Sequence, residues 1–215
     1  MKLLLWDFDG VIVDTFKISH DILSTLGPGA ITESQLRRIF DRNPYDSPEI
    51  KSRLPNHLSI HTPFFKEYVP RLLTRSSIPG IKTVLKKLAS TCPLVIVSST
   101  IDSAIATFLD QECLTPFFQK IYGVNTEKSK IKKIQKAMKD FNTAPEDTIF
   151  ITDTLGDINE ANQVGVRSIG VTWGYQKKSS LQKGNPIAIV DHPRELIVEI
   201  QKYIHSTESS AILPI

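Results

Sequence analysis

The stretch "LLLWDFDGVIVDT", residues 3–15, runs from unbroken apolar sequence into two acids set two positions apart. Residues 3–6 have the length of a strand and lack the alternation of a half-solvated one, a pattern that suits a strand buried on both faces of a parallel sheet. Asp7 and Asp9 then fall at its carboxyl end, where open parallel sheets bind ligands. Four more runs share that character: "PLVIVSS" (93–99), "DTIFIT" (147–152), "RSIGVT" (167–172) and "IAIV" (187–190). Between them lie amphipathic stretches. "GIKTVLKKLAS" places Ile81, Val84, Leu85 and Leu88 on one face with lysines outside it, and "SKIKKIQKAMKDF" repeats the pattern with Ile131, Ile134, Ala137, Met138 and Phe141. Strands alternating with helices predict a doubly wound, Rossmann-like α/β core with a mainly parallel sheet.

Residues 16–78 break the rhythm, with helix patterns and no convincing apolar strand. "DILSTLG" ends on glycine, and "TESQLRRIF" opens with Thr32 and Gln35 at capping-box spacing. Pro44, Pro48, Pro55 and Pro63 punctuate the remainder of this stretch. The expected organisation is an α/β core from 1–15 and 79–205, a small helical cap inserted at 16–78, and a loosely held tail at 206–215.

Composition narrows the function classes. With 215 residues, 40% hydrophobic and 23% charged, the chain suits one core plus an insertion. A net charge of +3 leaves no electrostatic footprint for DNA or RNA. The apolar stretch at the amino terminus is too short for a signal peptide or a membrane span, so a soluble, cytoplasmic protein is expected. Cys92 and Cys113 form no metal-binding pattern and read as buried, reduced thiols. The five histidines show no metal-ligand spacing and are expected on the surface or the cap.

The polar groups at later strand ends give the acids their meaning. Ser98 ends "LVIV", Lys130 opens a lysine-rich helix, and Asp153 and Asp157 follow "IFIT". Parallel strands bring their carboxyl ends to one edge, so these groups should converge. Ser99 and Thr100 compete with Ser98, and Lys128 with Lys130. A solvated face is the plain alternative for the lysines, as a simple turn is for "DFDG". Asp14 reads as a brace for the loop, and Trp173 and Tyr175 as packing residues.

These motifs resemble the haloacid dehalogenase superfamily of phosphohydrolases, in the phosphoglycolate phosphatase-like branch with a helical cap after the first strand. "DFDGVIVDT" matches its first motif, "VIVSS" the second, a lysine upstream of the fourth the third, and "DTLGD" the fourth. Members often carry Gly before the fourth-motif acid. Thr152 stands there instead, with little expected effect on the chemistry. The resemblance implies a Mg2+-dependent phosphatase acting on a small phosphorylated metabolite. Asp7 would attack phosphorus to form an aspartyl phosphate, and Asp9 would pass the proton. The metal would take Asp7, the Asp9 carbonyl and Asp153, with Asp157 supporting that shell. Ser98 (or Ser99) and Lys130 would bind the phosphoryl group.

The cap would read the leaving group. It holds Arg37, Arg38, Arg42, Arg53, Arg71 and Arg75, six of the chain's eight arginines, and Arg42 is the one favoured as a substrate contact. A monomer or weak homodimer is expected, with no nucleic-acid or membrane partner. Two alternatives stay open: a phosphomutase of the β-phosphoglucomutase kind, and a noncatalytic module on the same fold. A phosphoacceptor receiver domain fails on the long insertion and the order of the groups.

Overall fold

The computed structural model describes residues 2–55 and 58–209, the side chains of 205–209 excepted. Its centre is a six-stranded sheet in the order β3-β2-β1-β4-β5-β6. The strands are β1 (Leu3–Trp6), β2 (Leu94–Val97), β3 (Lys120–Tyr122), β4 (Thr148–Thr152), β5 (Arg167–Val171) and β6 (Ala188–Val190). Every pairing is parallel. All of β1, β2 and β4 is buried, which is why their sequences carry no polar alternation.

Side-chain alternation divides the core into two layers. Leu3, Leu5, Val95, Val97 and Phe150 pack on Ile134 and Ala137 of α7 (Lys130–Asp140) and Ala161 of α8 (Leu155–Gln163). Leu4, Trp6, Ile96 and Ile151 face the other way, toward α5 (Ile81–Ala89) and α10 (Pro193–Ser209). α6 (Asp102–Gln111) and α9 (Lys178–Leu181) complete the α/β wrapping.

The stretch 16–78 holds α1 (Phe16–Thr25), α2 (Glu33–Ile39), α3 (Pro48–Lys51) and α4 (Pro63–Leu72), and no strand among its described residues. Thr32 and Gln35 form the expected capping box on α2, and Pro48 and Pro63 open α3 and α4. The chain leaves and returns through adjacent extended segments: Val13 bridges Ser77, and the Ile78 amide donates to the Ile12 carbonyl at 2.8 Å.

Several expectations need correction. β3 is an additional strand, hidden because it is three residues long, at the sheet edge, with Lys120 exposed. On α7 the buried positions are Lys130, Lys133, Ile134 and Ala137, so the buried stripe is rotated from the expected one and Ile131 is only half-buried. Cys92 is buried, but Cys113 is exposed, closing α6 with a positive φ of 55°. α10 continues to Ser209, into the stretch read as a tail; 210–215 lie outside the described residues.

Candidate active site

β1 lies between β2 and β4, and the chain winds outward from it in both directions. The crevice at such a reversal is where a doubly wound sheet takes its ligand. Asp7 follows β1 there. Its amide donates to the Ile151 carbonyl at 2.9 Å, and its Oδ1 accepts the Phe8 amide at 2.7 Å. Gly10, at φ 74°, turns the chain back. A Cβ on it would stand 2.0 Å from Asp153 Oδ2, so glycine lets this turn pass the second acid.

Lys130 joins the motifs. From the first turn of α7 its Nζ lies 2.7 Å from Asp7 Oδ2 and 2.5 Å from Asp157 Oδ2. Thr152 also donates to Asp157 Oδ2, at 2.7 Å, so the residue that departs from the family pattern orients an acid of the site. Asp153 follows β4 directly. Its Oδ2 accepts the Tyr175 amide at 2.6 Å, while Oδ1 is buried without a hydrogen-bond partner.

Asp9 faces the same cleft. Its Oδ1 accepts from Thr15 at 2.7 Å and from the Tyr68 hydroxyl of α4, and its Oδ2 accepts from Thr100 at 2.7 Å. Sequence reasoning assigns none of these three donors to Asp9. Thr15 sits inside the first motif, Thr100 competes in sequence only with Ser98, and Tyr68 belongs to no motif.

The remaining candidates separate. Ser98 is fully buried, with Oγ accepting the Thr100 amide at 3.0 Å and its carbonyl accepting from the Lys133 ammonium. Ser99 and Thr100 line the cleft. Lys128 lies near Tyr45, 5.9 Å from its ring centroid. Arg42 is exposed and borders a separate surface depression; its backbone carbonyl, rather than its side chain, packs toward Gly156. Arg42, expected as a substrate contact, is thus not among the residues that line the cleft. Asp14 accepts the Phe16 amide at 3.1 Å, bracing the start of α1. Tyr175 packs edge-on against Phe16 and Phe40, and it also lines the cleft, its hydroxyl 3.0 Å from both Thr15 and Ser19. His20 bonds the Ile31 carbonyl, and His61 and His192 are exposed. His57 and the His205 side chain lie outside the described residues.

Burial dominates the electrostatics. It raises the Asp7 carboxyl well above its ordinary range, with Lys130 opposing and Asp157 adding to the rise. Burial likewise lifts Asp153 to about 7. Burial also works to raise Asp157, but the Lys130 charge and the bonds it receives hold it below the usual carboxylate range. Burial works against the charge on Lys130, which Asp157 and Asp7 nevertheless keep firmly protonated. Lys130 thus pairs with Asp7 and Asp157 but not with Asp153, and one ammonium could not balance all three acids if each were ionised.

Residues 4–171 match the haloacid dehalogenase-like hydrolase family. The chain belongs to that family. Among curated relatives, this family member is 24% identical to the phosphoglycolate phosphatase of Synechococcus elongatus, over 92% of the chain and 96% of the relative. It is 25% identical to that of Pseudomonas savastanoi pv. phaseolicola, over 91% and 78%. Among solved structures, a predicted phosphatase from Clostridium acetobutylicum superposes with a TM-score of 0.76 at 21% identity, covering 94% of this chain and 98% of that one. A haloacid dehalogenase-like protein from Streptococcus pneumoniae gives 0.71 at 22%, covering 93% and 98%. Both share the fold of this hydrolase.

The donor set suits a hard cation. An unpartnered Asp153 oxygen beside buried acids that can ionise together only with added positive charge is chemistry that Mg2+ complements. Among the described residues no three acidic, histidine or cysteine side chains are arranged to hold an ion unaided. Backbone, water and phosphate oxygens would complete the shell, as Mg2+ prefers. No helix among the described residues is long and apolar enough to cross a membrane.

Proposed function

We propose that this hydrolase cleaves phosphate monoesters of small metabolites, with Asp7 as nucleophile and Asp9 as proton carrier. The observation that carries the reading is the shared cleft: both acids line it with Lys130, Asp153 and Asp157 at the switch point of the sheet. Asp7 is tethered through its amide and Oδ1, so its carboxylate is fixed in direction before substrate arrives. Lys130 neutralises Asp7 and lies beside the position the phosphoryl oxygens would take, which lowers the repulsion between two anions. Mg2+, held by Asp7 and Asp153 with the Asp9 carbonyl and with Asp157 in support, would supply further charge neutralisation at phosphorus. Asp7 forms the phosphoenzyme bond as the ester oxygen departs, and Asp9 gives that oxygen its proton. Asp9 then takes a proton from the water that breaks the aspartyl phosphate.

Residues 16–78 would act as the cap. Tyr45 and Tyr68 reach from it into the cleft, and the paired segments at Val13 and Ser77 would be its hinge.

Phosphate release from a panel of esters, with Mg2+ and with chelator, tests the proposal. Mg2+-dependent turnover is expected in the wild type, and a loss of at least about a hundredfold in Asp7→Asn and in Asp9→Asn. Full activity in Asp7→Asn would overturn it.

A further inference from the structure

The arginine-rich stretch 16–78 delivers no arginine to the cleft. Arg38, Arg42 and Arg75 are exposed. Arg37 lies 3.9 Å from the Phe16 ring centroid and donates to the Tyr175 carbonyl. Arg53 bonds the Gly29 carbonyl at 3.1 Å, and Arg71 pairs with Glu67 at 3.0 Å on the surface. Among the described residues lining the cleft, the single cation is Lys130, and it is already shared by two carboxylates.

What faces the acids instead is apolar. Leu23, Phe40, Ile50, Leu54, Phe64 and Phe65 line the same cleft as the acids, and most of the surface it exposes is apolar. The tyrosine hydroxyls among them are engaged: Tyr45 with the Ser99 carbonyl, Tyr68 with Asp9, and Tyr175 with Thr15 and Ser19. A second anion entering this space would lose its water and meet no positive partner among the described residues, which is strongly unfavourable. An aliphatic or aromatic body would gain from the same burial.

We infer that the ester accepted here has an uncharged leaving group with an apolar body, and that a carboxylate-bearing ester such as 2-phosphoglycolate is a poor substrate. The inference rests on the phosphatase reading for its reaction and on the wall alone for its selectivity. The same lack of cations disfavours a mutase, which must seat a sugar carrying a second phosphate.

Benzyl phosphate and 2-phosphoglycolate form a suitable pair, since both leave as primary alkoxides. With Mg2+ present, kcat/KM is expected to favour benzyl phosphate by about tenfold or more. Binding of phenylmethylphosphonate and phosphonoacetate, followed by calorimetry, gives a reading independent of turnover and should show the same order. Tighter binding or faster cleavage of the carboxylate compound would overturn the inference even if the hydrolytic reading survives, as would a failure of phenylmethylphosphonate to bind. Preferential binding of phenylmethylphosphonate without cleavage of any ester would remove the hydrolytic reading and leave the selectivity standing. An Ile50→Arg substitution places a cation in the wall, and a shift in relative binding toward phosphonoacetate is expected.

Discussion

Asp9 draws hydroxyl donors from three distant parts of the chain: Thr15 after the first turn, Thr100 after β2 and Tyr68 from α4. A proton carrier must face the ester oxygen without rotating away, and three donors on two oxygens restrict its rotation. Tyr68 is the donor that comes from 16–78, so on the proposed mechanism it would couple the placement of that segment to the chemistry. Tyr68→Phe keeps the ring, which stacks with Phe64, and removes the hydroxyl alone. One hydrogen bond contributes about 1 kcal/mol net, so kcat should fall about fivefold. KM should change little, because the phosphoryl contacts remain. Steady-state kinetics on one ester checks this; a loss confined to KM would make Tyr68 a substrate contact instead. Tyr68 was illegible in sequence for a physical reason. It recurs with Phe64 and Phe65 at helical spacing, and a tyrosine whose ring is core and whose hydroxyl is functional cannot be separated from ordinary packing by periodicity.

Helix α7 shows how a pattern misleads at the next scale. Its lysines look like a solvated face, yet two of them enter the buried stripe. Lys130 is explained by its carboxylate partners; Lys133 instead donates to the Ser98 carbonyl. Burial, and then the charge on Lys130, lowers the Lys133 ammonium to about 7. The unfolded chain holds that proton up to about pH 10. Between pH 7 and 10 the unfolded state therefore binds more protons, and stability from this group rises with pH. Lys133→Met removes the effect. The stability of wild type relative to this variant should increase by on the order of 2 kcal/mol from pH 6.5 to 9. Urea unfolding at the two pH values measures it, and an unchanged difference would show that Lys133 is not buried as an amine. Other elements were legible because local chemistry and tertiary context agree. β1, β2 and β4 are buried throughout, and Thr32 with Gln35 caps α2 as their spacing requires. β3 had no such agreement, being short, at the edge and partly charged.

Across the molecule, the sheet gathers acids separated by nearly 150 residues of sequence into one desolvated place. That convergence was legible from strand order, because parallel strands can end only at one edge. The cleft wall was not, since composition located the arginines in 16–78 without saying which way they point. Convergence also has a thermodynamic consequence that the whole fold must bear. Asp153 is raised to about 7, chiefly by burial, against an ordinary value of 3.8. A carboxyl with a raised folded-state pKa binds more protons when folded. Its contribution to stability is fully present below pH 3.8 and lost as pH rises through about 7. Asp7 is raised too, and acts in the same direction. In the metal-free protein the contribution of these two carboxyls should therefore fall as pH rises from 6 to 8, against the rise that Lys133 supplies above pH 7. Mg2+ would bind the ionised form, so its stabilising effect should be larger at pH 8 than at pH 6. Asp153→Asn should raise the melting temperature of the metal-free protein at pH 8 and abolish most of the rise produced by Mg2+. Thermal unfolding of both proteins at the two pH values, with Mg2+ or with chelator, separates these effects. A Mg2+ effect that is equal at both pH values and survives in Asp153→Asn would place the ion elsewhere, and the unpartnered Asp153 oxygen would then need another partner.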